Sequence, residues 1–293
     1  MFYYTLCRSA FHSIRFGIPR FARTHGADGG GKFGRGVSVV VTDREGVLRT
    51  LREIRPRAVI NTAVDQAETD AERCREVNAQ ATRLLSDACR ELNIPLAQIS
   101  TDYVFGDARD PVPRRETDPT SPQGVYAKSK EEAERIVREG GLHLIARTCG
   151  LYGLLDSGAP GPNFVTAMLR LAETRQTLRV VDDQVCSPTH VPHLARSVLF
   201  LLEKIIKEPK LAGTYHVVNQ GETTWRGFAA EIFEQAGKQV ELIPITTEEY
   251  GAAAPRPRWS VLDCSKYLAL GGPPLPSRQD ALAEYFASLN QLS

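Results

Sequence analysis

Several things are missing from this sequence, and each omission narrows what the chain can be. No apolar run approaches the roughly 20 residues that a membrane-crossing helix needs. No Cys-x-x-Cys pair occurs. Cys7, Cys74, Cys89, Cys149, Cys186 and Cys264 are scattered, which speaks against a disulfide framework and against a thiolate zinc site. A reduced, cytoplasmic protein is expected. Excess charge is absent too: the formal net charge is +1 and basic residues do not cluster, so nucleic acid is not an expected partner. No internal repeat is present. The opening MFYYTLCRSAFHSIRF interrupts its apolar residues with Arg8, His12 and Arg15 and does not read as a signal peptide.

What remains is an ordinary globular composition. With 293 residues, 42% of them hydrophobic, the chain has material for one large domain or two small ones. Phe2 to Leu6 reads as a short strand and Ser9 to Phe16 as a short helix stopped before Pro19. The glycine-rich THGADGGGKFGRG, Thr24 to Gly36, reads as a linker, because a phosphate-cradling loop needs a strand before it and a helix after it. An apolar strand-like run, Val37 to Val41, follows instead.

From there the pattern is regular. Thr42-x-x-Glu45 has the form of a capping box. Val47, Leu48, Leu51 and Ile54 share a helix face that ends at Pro56. Ala58 to Ile60 reads as a buried strand. Helical spacing recurs from Ala71 through Cys74, Val77, Ala81, Leu85 and Ala88 to Leu92, which places Cys74 and Cys89 in a core. Leu96 to Ile99 and Leu142 to Ala146 read as further strands, as do Leu178 to Val181, Tyr215 to Val218 and Val240 to Ile243. Helices are expected over Phe164 to Ala172, Val191 to Ile206, Trp225 to Ala236 and Ala281 to Leu289. Strands alternating with helices imply βαβ units and a parallel sheet, a Rossmann-like doubly wound α/β fold.

In such sheets ligands lie beyond the carboxyl ends of the strands. Asn61, Ser100, Thr101, Asp102 and Tyr103 fall at such ends. Just beyond them, in SPQGVYAKSKEEAE, Tyr126 and Lys130 stand four residues apart at the head of a helical pattern, so both lie on one face. A neighbouring ammonium favours phenolate over phenol. Such a pair can pass a proton to or from a carbonyl oxygen, and the Thr101 hydroxyl is placed to hold that oxygen. Alone, a Tyr-x-x-x-Lys spacing also fits an ordinary surface helix, and Ser100 to Asp102 also fit a turn. His190 and His193 are three apart without an accompanying carboxylate or cysteine cluster, so a loop or cap role is expected and no metal site. In PRPRW, Arg256 and Arg258 can either grip a phosphate or stand solvated.

The ordered set STDYVF, YAKSK, RTCGLYG, VVDDQ, SPT, GTYHVVN and RPRWSVLDCSK resembles an extended short-chain dehydrogenase/reductase, and within that superfamily the dTDP-4-dehydrorhamnose reductase family. The resemblance runs from about Thr42 to the C-terminus. It implies that Tyr126 donates a proton to the 4-keto oxygen of a nucleotide-sugar. It implies that Lys130 lowers the tyrosine's pKa and holds the nicotinamide ribose, and that Thr101 binds the reacting oxygen. Asp102 and Tyr103 would line the sugar pocket and Arg256 would meet the nucleotide end. Asn61, Ala63, Ser100, Tyr126 and Lys130 would lie along NADPH or NADH. Magnesium and a homodimer are compatible with the family.

Two departures fall on the cofactor side. Nothing in Met1 to Gly36 matches the strand–TGxxGxxG–helix unit with which the family opens. Lys32 stands where its last glycine belongs. The stretch NTAVDQAE, Asn61 to Glu68, is shortened by roughly a turn's worth of residues. The leader, 1–41, is therefore expected to be a diverged or misread replacement for the usual unit. Residues 42–155, with 178–206 returning to them, are expected to form the dinucleotide-binding part. Residues 156–177 and 207–293 are expected to form the substrate part. A non-catalytic sugar-nucleotide binder or regulatory homologue, and an NAD-dependent epimerase, are the competing expectations.

Overall fold

A computed structural model describes residues 4–8, 13–17, 37–40, 43–62, 68, 70–106, 110–155, 159, 161–252 and 254–291. The chain divides into two compact units. The first comprises Met1–Val104, Gly124–Arg147 and Val198–Tyr215; the second comprises Phe105–Gln123, Thr148–Ser197 and His216–Ser293.

The first unit opens with β1 (Tyr4–Arg8), β2 (Ser13–Gly17) and β3 (Val37–Val40), followed by α1 (Arg44–Ile54) and β4 (Val59–Asn61). Next come α2 (Ala71–Arg75), a π-turn (Glu76–Gln80) and α3 (Ala81–Glu91). Then follow β5 (Leu96–Thr101), a 3₁₀ turn (Asp102–Phe105), α4 (Gly124–Gly140) and β6 (His143–Thr148). The second unit carries β7 (Leu151–Tyr152), α5 (Phe164–Leu171), β8 (Thr177–Val181), β9 (Val185–Cys186) and β10 (Thr189–His190). Helix α6 (Val191–Lys207) leads to β11 (Gly213–His216), which belongs to the sheet of the first unit. The remainder is β12 (Thr223–Thr224), α7 (Trp225–Gln235), β13 (Glu241–Ile245), α8 (Thr247–Tyr250), α9 (Ser265–Ala269) and α10 (Arg278–Asn290).

Seven strands form the main sheet in the order β11-β6-β5-β4-β1-β2-β3. β1 and β4 are parallel, as are β4 and β5. All three residues of β4 are buried, as strands covered on both faces require. The expected Rossmann-like α/β architecture is therefore present, and its N-terminal part is atypical, also as expected. β2 runs antiparallel to both β1 and β3. Four residues separate β1 from β2, too few for the dozen or more that a parallel crossover needs. A hairpin is the only connection left.

That hairpin corrects one sequence expectation: the helix proposed over Ser9 to Phe16 is instead the strand Ser13–Gly17. The signal was present, because Ile14 and Phe16 alternate with Ser13 and Arg15, a period of two. The glycine-rich stretch Thr24 to Gly36 lies outside the described residues. A second correction concerns α1. Its N-cap is Asp43, whose carboxylate accepts from Gly46 N at 3.0 Å, one residue later than the Thr42–Glu45 box. A carboxylate at that position satisfies an orphan N–H and faces the positive helix end.

A third correction concerns Leu178 to Val181, expected to return to the dinucleotide-binding part, whereas it lies in the second unit. As β8 it pairs, in parallel register, with β13. Its exposure alternates, with Thr177 and Arg179 outward and Leu178 and Val180 buried. That is the pattern of a strand covered on one face only.

Each unit has its own core. In the first, Val47, Leu48 and Leu51 of α1 pack with Leu85 and Cys89 of α3, Val137 of α4 and Ile145 of β6. In the second, Tyr152, Phe228, Ile232, Leu282 and Tyr285 are all nearly inaccessible. Trp225, Phe228, Ile232 and Phe233 therefore serve as packing, as their helical spacing indicates. Among the described residues no helix is long and apolar enough to cross a membrane. Removing the Phe228 ring, which is 0% exposed, should cost about 3–5 kcal/mol. Chemical denaturation of Phe228→Ala, monitored on the second unit, should show that loss. An unchanged midpoint would mean that this ring is not the keystone of the core.

Candidate active site

The candidate site is built where β5 ends and α4 begins, both in the first unit. β5 delivers Ser100 and Thr101 at its carboxyl end, and the 3₁₀ turn adds Asp102 and Tyr103. The Thr101 hydroxyl donates to Asp102 Oδ1 at 3.0 Å and accepts from Tyr103 N at 3.2 Å. This fixes its rotamer and leaves its oxygen at the strand terminus. Helix α4 places Tyr126 in its first turn and Lys130 one turn on, and Tyr126 is half-buried. The Tyr103 ring meets the Tyr126 ring edge-on, with centroids 5.9 Å apart.

Lys130 is 3% exposed, and its ammonium donates to the Ile99 carbonyl at 2.7 Å. This bond ties α4 to β5 two residues before Thr101. Burial draws the Lys130 pKa down to about 8, against the opposing pull of the Glu134 carboxylate. The lysine is thus a cation held at the edge of neutrality.

Below Lys130 on the same helix face sits Glu134, itself wholly inaccessible. Arg147 of β6 grips it with Nε on Oε1 at 2.9 Å and a terminal nitrogen on Oε2 at 2.8 Å. Ser100 Oγ donates to Oε1 at 2.6 Å, and Arg138 donates to Oε2 at 2.5 Å. Burial alone would raise this carboxyl's pKa. The bonds and charge of Arg147, with Ser100 and Arg138, hold it below the usual range. A bidentate guanidinium–carboxylate pair is the strongest form of such a contact.

The first turn of α4 is held from two further sides. Ser129 Oγ donates to the Tyr126 carbonyl at 2.7 Å and accepts from Asn78 Nδ2 at 2.9 Å. Asn78 lies within the π-turn, and its carbonyl accepts from Thr82 Oγ1 at 2.8 Å. A π-turn swings side chains out of α-helical register, and here it accompanies the turn of Asn78 towards α4. From the other side, Glu68 accepts from Val125 N at 2.8 Å and from Tyr126 N at 3.0 Å.

Of the residues singled out from sequence, Thr101, Asp102, Tyr103, Tyr126 and Lys130 gather at this junction. Ser100 lies beside them but gives its hydroxyl to Glu134. Asn61 gives both amide hydrogens to Thr82 Oγ1 and Gln98 Oε1, at 3.0 and 2.8 Å, and so bridges β4, α3 and β5. Ala63 lies outside the described residues. Arg256 is in the second unit, its guanidinium 5.8 Å from the Tyr250 ring centre, while Arg258 pairs with Glu248.

Glu68, Glu134 and Arg147 were missed. A signal existed for two of them. Glu134 follows Ala127 and Lys130 on the stripe that should be apolar, and Arg147 interrupts the apolar strand HLIART. Charges on a buried stripe imply a buried pair. Glu68 carries no such periodic mark.

His190, His193 and Glu284, in the second unit, place candidate ligand atoms within 4.8 Å of one another. Hydrogen bonds account for His193 and Glu284, whereas the buried His190 Nδ1 has no partner among the described residues. His193 Nδ1 lies 2.9 Å from Asn219 Nδ2 and 3.3 Å from Asn219 Oδ1, and its Nε2 lies 2.8 Å from Glu284 Oε2. Imidazoles do not suit magnesium, which takes oxygen ligands.

For a dinucleotide, the residues that would hold the ribose and nicotinamide end are Thr101 at the end of β5 and Tyr126 and Lys130 at the start of α4, where Tyr126 meets Tyr103 and Lys130 bonds Ile99. The pyrophosphate end does not fit in the usual way. β1 pairs antiparallel with β2, and among the described residues no helix N-terminus stands between β1 and β3 to receive the phosphates.

Residues 32–291 match the family described as RmlD substrate binding domain. The dTDP-4-dehydrorhamnose reductase of Streptomyces griseus is 40% identical over 256 residues, covering 85% of this chain and 82% of that protein. Among solved structures, a dTDP-4-dehydrorhamnose reductase from Clostridium acetobutylicum superposes with a TM-score of 0.78 at 36% identity, covering 86% of this chain and 88% of that one. The same enzyme from Bacillus anthracis, in complex with NADP, gives 0.75 at 36% identity, with 84% and 86% covered.

Two outcomes follow from the buried charges. Amine acylation of Lys130, followed by mass spectrometry against pH, should show a midpoint near 8; a midpoint at the ordinary lysine value would mean that the ammonium is not buried. The depressed Glu134 carboxyl contributes stability that is present above the ordinary carboxylate pKa and lost as the pH falls through the native value. Glu134→Gln should therefore cost about 3–5 kcal/mol at neutral pH, with the deficit against the parent shrinking below about pH 4. A deficit that does not change with pH would contradict the ionised pair.

Proposed function

The chain belongs to the dTDP-4-dehydrorhamnose reductase family, a family of oxidoreductases, and from that premise we propose what it does. It reduces the 4-keto group of dTDP-4-dehydro-6-deoxy-L-mannose to give dTDP-L-rhamnose, with NADPH or NADH as reductant. The observation that carries this reading is the Lys130–Ile99 bond. It sets the Tyr126 helix against the strand that ends at Thr101.

In this reading the Thr101 hydroxyl releases Asp102 and turns its proton to the keto oxygen. The Tyr126 phenol gives that oxygen a proton as the alcohol forms, general acid catalysis worth about 10²–10⁴-fold. The buried Lys130 ammonium stabilises the phenolate left behind. Asp102 and Tyr103 shape the sugar side. When bound, the reduced nicotinamide supplies the hydride. The first unit serves the dinucleotide and the second the sugar nucleotide, with Arg256 as a candidate partner for its phosphates. No step calls for magnesium. Among the described residues all five characterised cysteines are free thiols, in keeping with the reducing cytoplasm as its place of action.

One observation favours a second reading. The β1–β2 hairpin stands where a dinucleotide fold places its phosphate-binding helix. A homologue that kept the sugar-nucleotide site and lost the dinucleotide would look like this. Calorimetry with NADPH and with dTDP separates the two. The reductase binds both, the binder only the second. In the reductase, Tyr126→Phe should lower kcat/KM for NADPH oxidation with the keto-sugar by at least about 100-fold while leaving NADPH affinity in place. Turnover unaffected by that change would remove Tyr126 from the chemistry.

A further inference from the structure

We propose that Glu68 is a positioning residue for Tyr126, setting both the place of the phenol and its readiness to give up a proton. The inference rests on the proton-donor role proposed for Tyr126 and goes beyond it.

Helix α4 has no acidic residue in its own first turn. Its opening N–H groups need partners, as those of every helix do. A single carboxylate from the connection after β4 meets two of them: Oε2 receives Val125 N at 2.8 Å and Oε1 receives Tyr126 N at 3.0 Å. The second of these is the backbone nitrogen of the tyrosine itself. With Ser129 holding the Tyr126 carbonyl at 2.7 Å, the peptide groups on both sides of the Tyr126 Cα are fixed. Two constraints at one Cα leave the side chain only its own rotamers as freedom.

The contact also carries charge. The amino end of a helix is positive, roughly half a unit, and that potential favours phenolate in a first-turn tyrosine. The Glu68 carboxylate offsets it. Other titratable and charged groups of the first unit stand near the phenol or the elements packed on it. Lys130 is on the same helix, and Tyr103 is edge-on at 5.9 Å. Asp102 lies at the end of β5. From α2 come Cys74, whose thiol lies on Ser129 at 3.5 Å, and Arg75, which is paired with Glu132. Glu68 bonds the Tyr126 backbone nitrogen directly. Its charge therefore acts on the phenol together with the geometry it imposes. A reductase needs the phenol protonated, so a carboxylate that keeps the helix end from over-acidifying it widens the working range on the alkaline side.

The test uses the full chain. Glu68→Ala removes both acceptors; a displacement of about 1 Å at a reacting group can cost about 100-fold. It should lower kcat about 10–100-fold with KM for the keto-sugar changed less than about threefold. Glu68→Gln keeps one acceptor and loses the charge. It should lower kcat less and move the alkaline limb of the kcat profile to lower pH by about half a unit. A readout independent of turnover is the ultraviolet titration of the phenol, taken as the difference from Tyr126→Phe. In Glu68→Gln its midpoint should move down by the same amount. Parent-like kcat and an unmoved phenol midpoint would overturn the proposal, as would a loss confined to melting temperature. If instead Tyr126→Phe turns over normally, the proton-donor reading fails, whatever Glu68 does. If Tyr126→Phe is inactive and both Glu68 variants behave as the parent, only the positioning claim fails.

Discussion

The site depends on how one helix is fastened to one sheet. Along the buried face of α4, Lys130 bonds the Ile99 carbonyl of β5, and Glu134 is gripped by Arg147 of β6 and by Ser100 of β5. Apolar packing alone would hold the helix near the sheet, because side chains slide over one another at small cost. These polar contacts specify register. Each is directional, each is out of water, and leaving any member unpaired costs far more than the net value of the bond. The arrangement fixes which turn of α4 faces the end of β5.

Other buried polar groups extend the same constraint. Asn61 bridges Thr82 and Gln98, and the π-turn at Glu76–Gln80 places Asn78 on Ser129. The strand ends and the helix start thus form one hydrogen-bonded body, which makes a site of modest size precise. Burial of Lys130 is part of the design. A lysine so enclosed is a weaker base than usual, yet it retains enough positive charge near neutrality to act on a phenol.

Much of this could be read from the sequence, for reasons that differ by element. The central strands and helices announce themselves through period: β4 and β5 as short apolar runs, α1 and α3 as helical stripes. The placement of Thr101 at a strand end and of Tyr126 and Lys130 one turn apart on a helix was legible because spacing and strand-end position speak without three-dimensional knowledge. β2 was misread although Ile14 and Phe16 alternate, since a short segment before a proline also fits a helix. β8 was expected in the dinucleotide-binding part because sequence gives a strand's character more readily than its neighbour. Arg179, outward in a half-exposed strand, was the clue. Asn61 and Ser100 were given ligand roles that their observed partners already occupy in part. Glu68 was invisible as a cap because it acts 57 residues from Val125, and no local pattern records so distant a partner.

The most direct test of the fastening is amide hydrogen exchange along α4. If the buried polar contacts govern the site, residues 127–134 should exchange only through opening of the whole first unit, with protection equal to that of β5 and β6. Exchange of this turn by local fraying, at an opening free energy well below that of the two strands, would contradict the account.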